Sequence, residues 1–135
     1  MEAKIVEEMK PFFDPKAVAI IGATNKKGKV GNVIFENFKT NKERGIFKGN
    51  IYPVNPKLDE IDGYKVYKSV EELPDDTDLA VVSIPAPFVP DTMKQIAKKG
   101  IKSVVIITGG FGELGEEGKK LEREILEIAR ENGIR

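Results

Sequence analysis

The sequence predicts an α/β fold in which parallel strands alternate with helices. Short apolar runs occur at 17–21, 79–84 and 104–107, and unbroken runs of this kind are typical of strands that are covered on both faces of a parallel sheet. The segments that follow them carry apolar residues at helical spacing instead. Because alternating strands and helices build βαβ units with helices on both faces of the sheet, we expect a doubly wound, mostly parallel, Rossmann-like sheet.

The predicted elements follow one another with short connections. Proline and glycine mark several of the ends, because proline interrupts a helix and glycine readily takes the left-handed conformation that ends one. In chain order we expect a lead-in helix that Pro11 stops, a strand at 17–21, a helix from Val30 to Phe38, a strand at 51–54, a short extended piece at 63–67, a strand at 79–84, a helix from Val89 that Gly100 ends, a strand at 104–107 and a last helix that Gly133 ends.

Composition narrows the classes of function. The 22 Lys and Arg residues balance the 22 Asp and Glu residues, so no net field attracts nucleic acid or a membrane. No apolar run approaches the roughly 20 residues of a membrane span, and the acidic N-terminal segment does not resemble a secretory signal, so we expect a cytoplasmic location. The chain has no cysteine and no histidine, which excludes thiolate and imidazole chemistry within it. The 33% charged content favours a thermophilic source.

The length of 135 residues is typical of one domain, which we assign to 1–135. A fifth strand is expected to begin at Ile134 and Arg135, and we therefore interpret the sequence as a domain excised from a longer chain. Without that strand, the 104–107 strand would present an unpaired apolar edge. Such edges pair with other chains, so self-association through this edge is expected.

The loop after the first strand has the composition of an anion-binding site. It reads GATNKKGKVGN from Gly22 to Asn32, and its glycines permit a tight turn and close approach to a ligand. The helix that starts near Val30 would direct free N–H groups and its positive dipole end at an anion. Lys26, Lys27 and Lys29 add positive charge. The spacing of the glycines differs from the dinucleotide pattern G-x-G-x-x-G.

The second strand ends in Asn55-Pro56-Lys57. A dinucleotide enzyme places an acidic residue at this position, where it accepts hydrogen bonds from the ribose 2′-hydroxyl. A cation at the same tip favours a phosphorylated ribose instead. Plain NAD is therefore disfavoured, and NADP and coenzyme A (CoA) both remain.

The third and fourth strands end in loops that could line the same site, because the carboxyl ends of parallel strands meet at one edge of the sheet. Pro85, Ala86 and Pro87 form a stiff apolar ledge that has few amide donors. The fourth loop, ITGGFGELG from Ile107 to Gly115, again contains glycines that let the backbone approach a ligand. Glu113 in this loop has no apparent catalytic partner, so we interpret it as structural or as serving a neighbouring domain.

Four segments in order, FFDPKAVAIIGATN, YPVNPK, IPAPFVPD and IITGGFGELGEEG, resemble the CoA-binding domain of the ADP-forming acyl-CoA (acetyl-CoA) synthetases, relatives of the succinyl-CoA synthetase alpha subunit. The resemblance extends from about Phe12 to Arg135. It implies that the first loop holds the CoA phosphates and that the second tip contacts the adenosine phosphate. The residues implied in CoA binding are Gly22, Ala23, Thr24, Asn25, Lys26, Lys27, Gly31, Asn55, Lys57, Pro85, Ala86, Pro87, Ile107, Thr108 and Gly109. In the succinyl-CoA branch an acidic residue stands where this chain has Gly109.

The resemblance also implies what the chain does not do alone. The family passes phosphate through a histidine, which this chain does not contain, and family members carry further ligase and ATP-grasp domains or subunits. We therefore expect a CoA-binding module of an ADP-forming ligase that binds no metal and has no catalytic residue of its own. One alternative is a free-standing CoA-binding protein with a carrier or regulatory role. A less favoured alternative is an NADP-linked oxidoreductase domain.

Overall fold

The computed structural model describes residues 2–109, 111 and 114–135. It contains a four-stranded sheet in the order β2-β1-β5-β6, with every neighbouring pair parallel, and a separate two-stranded hairpin. The elements are α1 (Glu2–Phe13), β1 (Ala17–Ile21), α2 (Val30–Glu43), β2 (Asn50–Val54), β3 (Glu60–Ile61), β4 (Tyr64–Lys65), β5 (Leu79–Val82), α3 (Val89–Lys99), β6 (Ser103–Ile106) and α4 (Glu116–Glu131), with 3₁₀ turns at Val70–Glu72 and Ala86–Phe88.

The order of the strands creates a switch point at the centre of the sheet. From β1 the chain crosses to β2 on one side, and it then returns to place β5 on the other side of β1. The connection after β1 and the connection after β5 therefore lead to opposite sides of the sheet. In open α/β sheets the crevice above such a switch point is the usual ligand site. The predicted doubly wound, Rossmann-like fold is confirmed.

Side chains that alternate along β1 divide the core into two halves. Ala19 and Ile21 face the half that α3 and α4 cover, whereas Val18 and Ile20 face the half that α2 covers with Phe35. All five residues of β1 are buried. This burial on both faces explains why β1 reads as an unbroken apolar run.

Three local predictions need correction. The extended piece predicted at 63–67 is part of a β-hairpin, in which β3 and β4 pair antiparallel and Asp62 and Gly63 both have positive φ. This backbone is the one that an Asp-Gly turn favours, so the sequence did contain the signal. Helix α1 runs to Phe13 and does not stop at Pro11. Helix α2 runs to Glu43, beyond its predicted end at Phe38.

The edge of β6 is paired at its beginning. The amide of Arg135 donates to the carbonyl of Lys102 at 2.8 Å, and the carbonyl of Arg135 accepts from the amide of Val104 at 2.8 Å. This is the hydrogen-bond pattern of a parallel neighbour opposite Ser103. The prediction of a wholly unpaired edge is therefore wrong at this end of β6, while the direction expected for Ile134 and Arg135 is confirmed. Self-association stays a prediction.

Two glycines bring β1, β5 and α2 into backbone contact at the switch point. Gly22 follows β1 with φ +100°, and a Cβ atom placed on it would lie 2.0 Å from the carbonyl oxygen of Ser83. A Cβ atom on Gly31, in the first turn of α2, would lie 1.9 Å from the carbonyl oxygen of Gly22. Both obstructing atoms belong to the backbone and cannot rotate away as a flexible side chain would. Only glycine fits at either position.

We therefore predict that Gly31→Ala destabilises the domain. Its methyl group has to push the start of α2 away from the end of β1, and such overpacking costs about 1–3 kcal/mol of unfolding free energy. Gly109→Ala is the matched control, because no non-neighbouring atom of the described residues lies within 4 Å of its Cβ position and its φ is not positive. Urea unfolding of both variants checks this, and a Gly31→Ala variant as stable as Gly109→Ala would contradict the close approach.

Candidate ligand-binding site

A cleft of about 410 Å³ opens at the carboxyl ends of β1, β5 and β6, next to the switch point. We call it the main cleft. Its floor is the contact between Gly22 and Gly31, and the remaining walls come from the loops after the three strands and from the first turn of α2. The residues that line it are Gly22, Thr24, Lys26, Lys29, Val30, Gly31, Ser83, Ile84, Pro85, Ile107, Thr108 and Gly109.

The amino terminus of α2 faces this cleft without a cap. Lys29 occupies the N-cap position and its side chain makes no capping hydrogen bond, and the first turn contains no acidic residue. The amides of Val30 and Gly31 donate to no backbone carbonyl in the described part of the chain. Free amides, the helix dipole and the two lysines Lys26 and Lys29 all favour an anion at this end of the cleft.

Side-chain amides hold the first loop in shape. Asn32, buried in the first turn of α2, donates from Nδ2 to the carbonyl of Thr24 at 3.0 Å. The hydroxyl of Thr24 accepts from the amide of Lys26 at 3.2 Å. The first bond thus ties the start of the loop to α2, and the second closes a turn within the loop. The sequence analysis did not identify Asn32, although its position in the first helical turn after a glycine loop was a usable signal.

Asn55 joins the second strand tip to the first loop. Its Nδ2 donates to the carbonyl of Ala23 at 2.9 Å, and its Oδ1 accepts from the amide of Lys57 at 2.8 Å. One side chain therefore fixes the Asn-Pro-Lys turn against the end of β1. The side chain of Lys57 itself is exposed and lines neither the main cleft nor its neighbour.

Thr108 joins the third and fourth strand tips in a similar way. Its hydroxyl donates to the carbonyl of Ile84 at 2.7 Å and accepts from the amide of Ile84 at 3.2 Å. Both directions of this hydroxyl are occupied, so its effect is to position Ile84 and the neighbouring Pro85 at the wall of the cleft. Ala86 is buried in the following 3₁₀ turn, and Pro87 faces solvent.

The structure brings eight of the fifteen predicted site residues to the main cleft, namely Gly22, Thr24, Lys26, Gly31, Pro85, Ile107, Thr108 and Gly109. Asn55 lies at a neighbouring cleft. Neither cleft is lined by Ala23, Asn25, Lys27, Lys57, Ala86 or Pro87. Ser83 and Ile84, which follow β5, were not among the fifteen predicted residues. Lys29 and Val30 were not among them either, although the sequence had placed both in the anion-binding loop and at the start of its helix. Glu113, with Gly110 and Gly112, lies outside the described residues.

The neighbouring cleft, which we call the side cleft, has a volume of about 300 Å³ and runs between the tip of β2 and helix α3. It shares Gly22 and Ile84 with the main cleft, so the two clefts adjoin at these residues. Its other walls are formed by Ile21, Val54, Asn55, Pro56, Lys68, Ser69, Val70, Thr92 and Gln95.

Lys68 braces the outer end of the side cleft. Its Nζ lies 2.7 Å from a carboxylate oxygen of Asp59 and donates to the carbonyl of Leu58 at 2.7 Å. The hydrogen bond and the positive charge of Lys68 lower the pKa of Asp59 below its ordinary value. These contacts fix the chain that follows Lys57 to the segment that follows the hairpin.

The described residues also bear on metal binding and on membranes. Within residues 2–109, 111 and 114–135, no group of three or more His, Cys, Asp or Glu side chains is arranged to hold a metal ion. Within the same residues, no helix has the length and the apolar character that crossing a bilayer requires.

Comparison with known proteins gives a consistent family. Residues 16–135 match the sequence model of the family described as the CoA binding domain. The alpha subunit of ADP-forming acetate–CoA ligase I from Pyrococcus furiosus is 50% identical over 131 residues, which cover 94% of this chain and 28% of that protein. ADP-forming acetate–CoA ligase from Methanocaldococcus jannaschii is 49% identical over 128 residues, which cover 95% of this chain and 17% of that protein. The archaeal sources fit the charged composition.

Solved structures agree with the sequence relatives. The dinucleotide-forming acetyl-coenzyme A synthetase 1 of Candidatus Korarchaeum cryptofilum, in its apo form, superposes with a TM-score of 0.84 at 37% identity and covers 94% of this chain and 26% of that one. A crystal structure from Pyrococcus horikoshii OT3 gives the same TM-score at 50% identity, with 94% of this chain and 28% of that chain covered. The chain thus spans about a quarter of the length of these solved relatives. It belongs to the CoA-binding domain family.

Proposed function

We propose that this chain is the CoA-binding module of an ADP-forming acyl-CoA ligase and that the main cleft holds the phosphates of CoA. The observation that carries the proposal is the uncapped amino terminus of α2, which faces the glycine contact at the switch point. A diphosphate needs several amide donors at close range and a compensating charge. This end of the cleft offers both, in a chain of the CoA-binding domain family.

The pantetheine arm of CoA needs apolar surface, and its 3′-phosphate needs positive charge. The two sides of the site differ in the same way. Val30 and Ile107 line the main cleft and remain about half exposed, so they can cover the aliphatic part of the pantetheine arm. Lys57 stands at the opposite side, at the tip of β2, where the phosphorylated ribose would lie. In this orientation the thiol points out over the loop after β6, toward whatever domain or subunit supplies the acyl group.

The contribution of this module to catalysis is positional. Holding the thiol against an acyl phosphate converts a reaction between two molecules into one within a complex, which lowers the entropic part of the barrier. The chain contains no histidine to carry a phosphoryl group. Phosphoryl transfer and acyl activation are therefore assigned to further ligase and ATP-grasp domains or subunits, and the acetate–CoA ligase relatives support an acid–thiol ligase.

A free-standing CoA-binding protein is the second candidate. One observation favours it: a conserved hypothetical protein of Pyrococcus furiosus superposes with a TM-score of 0.64 at 30% identity, and this chain covers 87% of that one. A similar fold therefore also occurs in a protein chain of about this length. An NADP-linked oxidoreductase has less support, because the glycine spacing departs from the dinucleotide pattern.

The assigned role of Lys57 predicts selectivity for the 3′-phosphate. We expect CoA to bind more tightly than 3′-dephospho-CoA, and NAD to bind weakly. A charge-assisted phosphate contact contributes about 1.5–3 kcal/mol, so Lys57→Ala should weaken CoA binding about ten- to a hundredfold. Dephospho-CoA should be nearly unaffected, because it lacks the group that Lys57 binds.

Titration calorimetry of the parent and of Lys57→Ala with the three ligands checks this. Lys48→Ala is the matched control, because Lys48 is an exposed lysine that lines neither cleft. Equal affinity of the parent for CoA and dephospho-CoA would refute the role of Lys57. Absence of CoA binding to the parent chain would refute the proposed function as a whole.

The module role also predicts that the chain by itself forms no phosphoenzyme and no acyl-CoA. It has no histidine to phosphorylate, and we place ATP activation on other domains. Incubation with γ-labelled ATP or labelled acetyl phosphate, followed by gel electrophoresis and by chromatography of the CoA pool, checks both parts. Stable label on the purified chain would contradict the assignment.

A further inference from the structure

We propose that Asn132 is a site of spontaneous deamidation and that the end of helix α4 holds it in a conformation that cannot react. The modification then occurs only when this end of the helix opens, and it makes the opening permanent. Asn132 and Gly133 form the only Asn-Gly pair in the sequence. Glycine has no side chain to shield its backbone nitrogen or to restrict its rotation, so an Asn-Gly pair is the most susceptible to this reaction. The inference does not depend on CoA binding.

Deamidation at this pair needs only the chain itself and water. The backbone nitrogen of Gly133 attacks Cγ of Asn132, so that a new C–N bond forms and the bond from Cγ to Nδ2 breaks. Nδ2 leaves as ammonia, together with the proton that the Gly133 nitrogen loses. Water then opens the resulting cyclic imide at one of its two carbonyl carbons, which gives either an aspartate or an isoaspartate linkage.

The cap of α4 keeps the two reacting atoms apart. Ring closure requires the Gly133 nitrogen to lie beside Cβ of Asn132, whereas a ψ of +8° at Asn132 turns that nitrogen away from Cβ. Nδ2 of Asn132 donates to the carbonyl of Ile128 at 2.8 Å, which holds the side chain back along the helix. The carbonyl of Asn132 accepts from Nζ of Lys102 at 2.6 Å. This second bond fixes the plane of the Asn132–Gly133 peptide, and the helix dipole favours a cation at this end of α4.

The residues after the pair resist the rotation that the reaction needs. The amide of Ile134 donates to the carbonyl of Ala129 at 2.9 Å, and the side chain of Ile134 is buried in the half of the core that α3 and α4 cover. Arg135 is paired with β6, and its Nε lies 2.6 Å from a carboxylate oxygen of Glu8 in α1. Turning ψ of Asn132 to the reactive value displaces both residues. The reaction therefore requires this segment to open locally, which costs free energy.

The product does not fit the place that Asn132 occupies. A carboxylate has no proton to donate to the carbonyl of Ile128, and the helix dipole disfavours its negative charge at the C-terminal end of α4. An isoaspartate linkage also adds one carbon atom to the main chain, which displaces Ile134 and Arg135 relative to β6. We therefore expect the modified chain to lose the hydrogen bond from the amide of Val104 to the carbonyl of Arg135.

The test measures deamidation of the 135-residue chain, folded and unfolded in urea, at elevated temperature and mildly alkaline pH. Peptide mass spectrometry detects the replacement of the amide by a carboxyl group at Asn132, and isoaspartyl methyltransferase quantifies the isoaspartate product. We expect the folded chain to react at least about tenfold more slowly than the unfolded chain, because local opening must precede the chemistry. Equal rates in the two states would overturn the inference.

Lys102→Met should raise the rate in the folded chain several-fold, because it removes the bond to the carbonyl of Asn132, and it should leave the rate in urea unchanged. Lys120→Met is the matched control, because Lys120 is exposed on α4 and takes no part in these hydrogen bonds. Thermal melts show whether each variant is folded. A folded Lys102→Met chain that reacts at the parental rate would refute the protective role of the cap.

Hydrogen exchange at the amide of Val104 tests the consequence of the modification. We expect this amide to exchange faster in the deamidated chain than in the unmodified chain, because its acceptor on Arg135 is lost. The amide of Val81, within the central strand β5, is the control and should be unchanged. An unchanged rate at Val104 in fully deamidated protein would refute the release of Arg135 from β6.

Discussion

The backbone contact between Gly22, Gly31 and Ser83 is the constraint on which the rest of the site depends. A Cβ atom at either glycine would lie about 2 Å from a carbonyl oxygen, well inside any allowed separation. The contact brings the first turn of α2 to the end of β1 and the end of β1 to the end of β5. It therefore places an uncapped helix terminus at the switch point of the sheet. A longer side chain at either position would separate these elements and widen the cleft at its floor.

From this contact the site extends toward the tip of β2 and toward the tip of β6. A polar side chain fixes the backbone on each of these two sides. Asn55 holds the β2 tip to the first loop, and Thr108 holds the β6 tip to the segment after β5. Each of these side chains uses one donor and one acceptor in these hydrogen bonds. They act by positioning the backbone around a ligand. The lysines, in contrast, extend from the surface of this frame and supply charge.

The sheet and the chemistry of its loops could be predicted because both have local signals. The buried strands read as unbroken apolar runs, and the carboxyl ends of parallel strands necessarily share one edge, so Gly22, Pro85 and Thr108 could be expected together. The side cleft could not be predicted from the sequence. It lies between α3 and the tip of β2, which are distant in sequence, so Thr92 and Gln95 read only as ordinary helix positions.

Lys57 illustrates a second limit of prediction from the sequence. Its identity at the end of the second strand carried the argument against NAD, yet the backbone of the turn is held by Asn55 and the lysine side chain extends into solvent. Sequence order places the residue at the correct edge of the sheet. The direction of a long, exposed side chain depends on the ligand that it meets, which no local pattern encodes.

Backbone amide chemical shifts, followed by NMR during titration of the isotope-labelled chain with CoA, test the central claim most directly. We predict that the largest shifts occur at the non-proline residues of 22–31, 55–57, 83–86 and 107–109. Little change is expected in the β3–β4 hairpin or in the second half of α4. Saturable shifts concentrated on the hairpin or on α4, with the amides of Val30 and Gly31 unmoved, would contradict it.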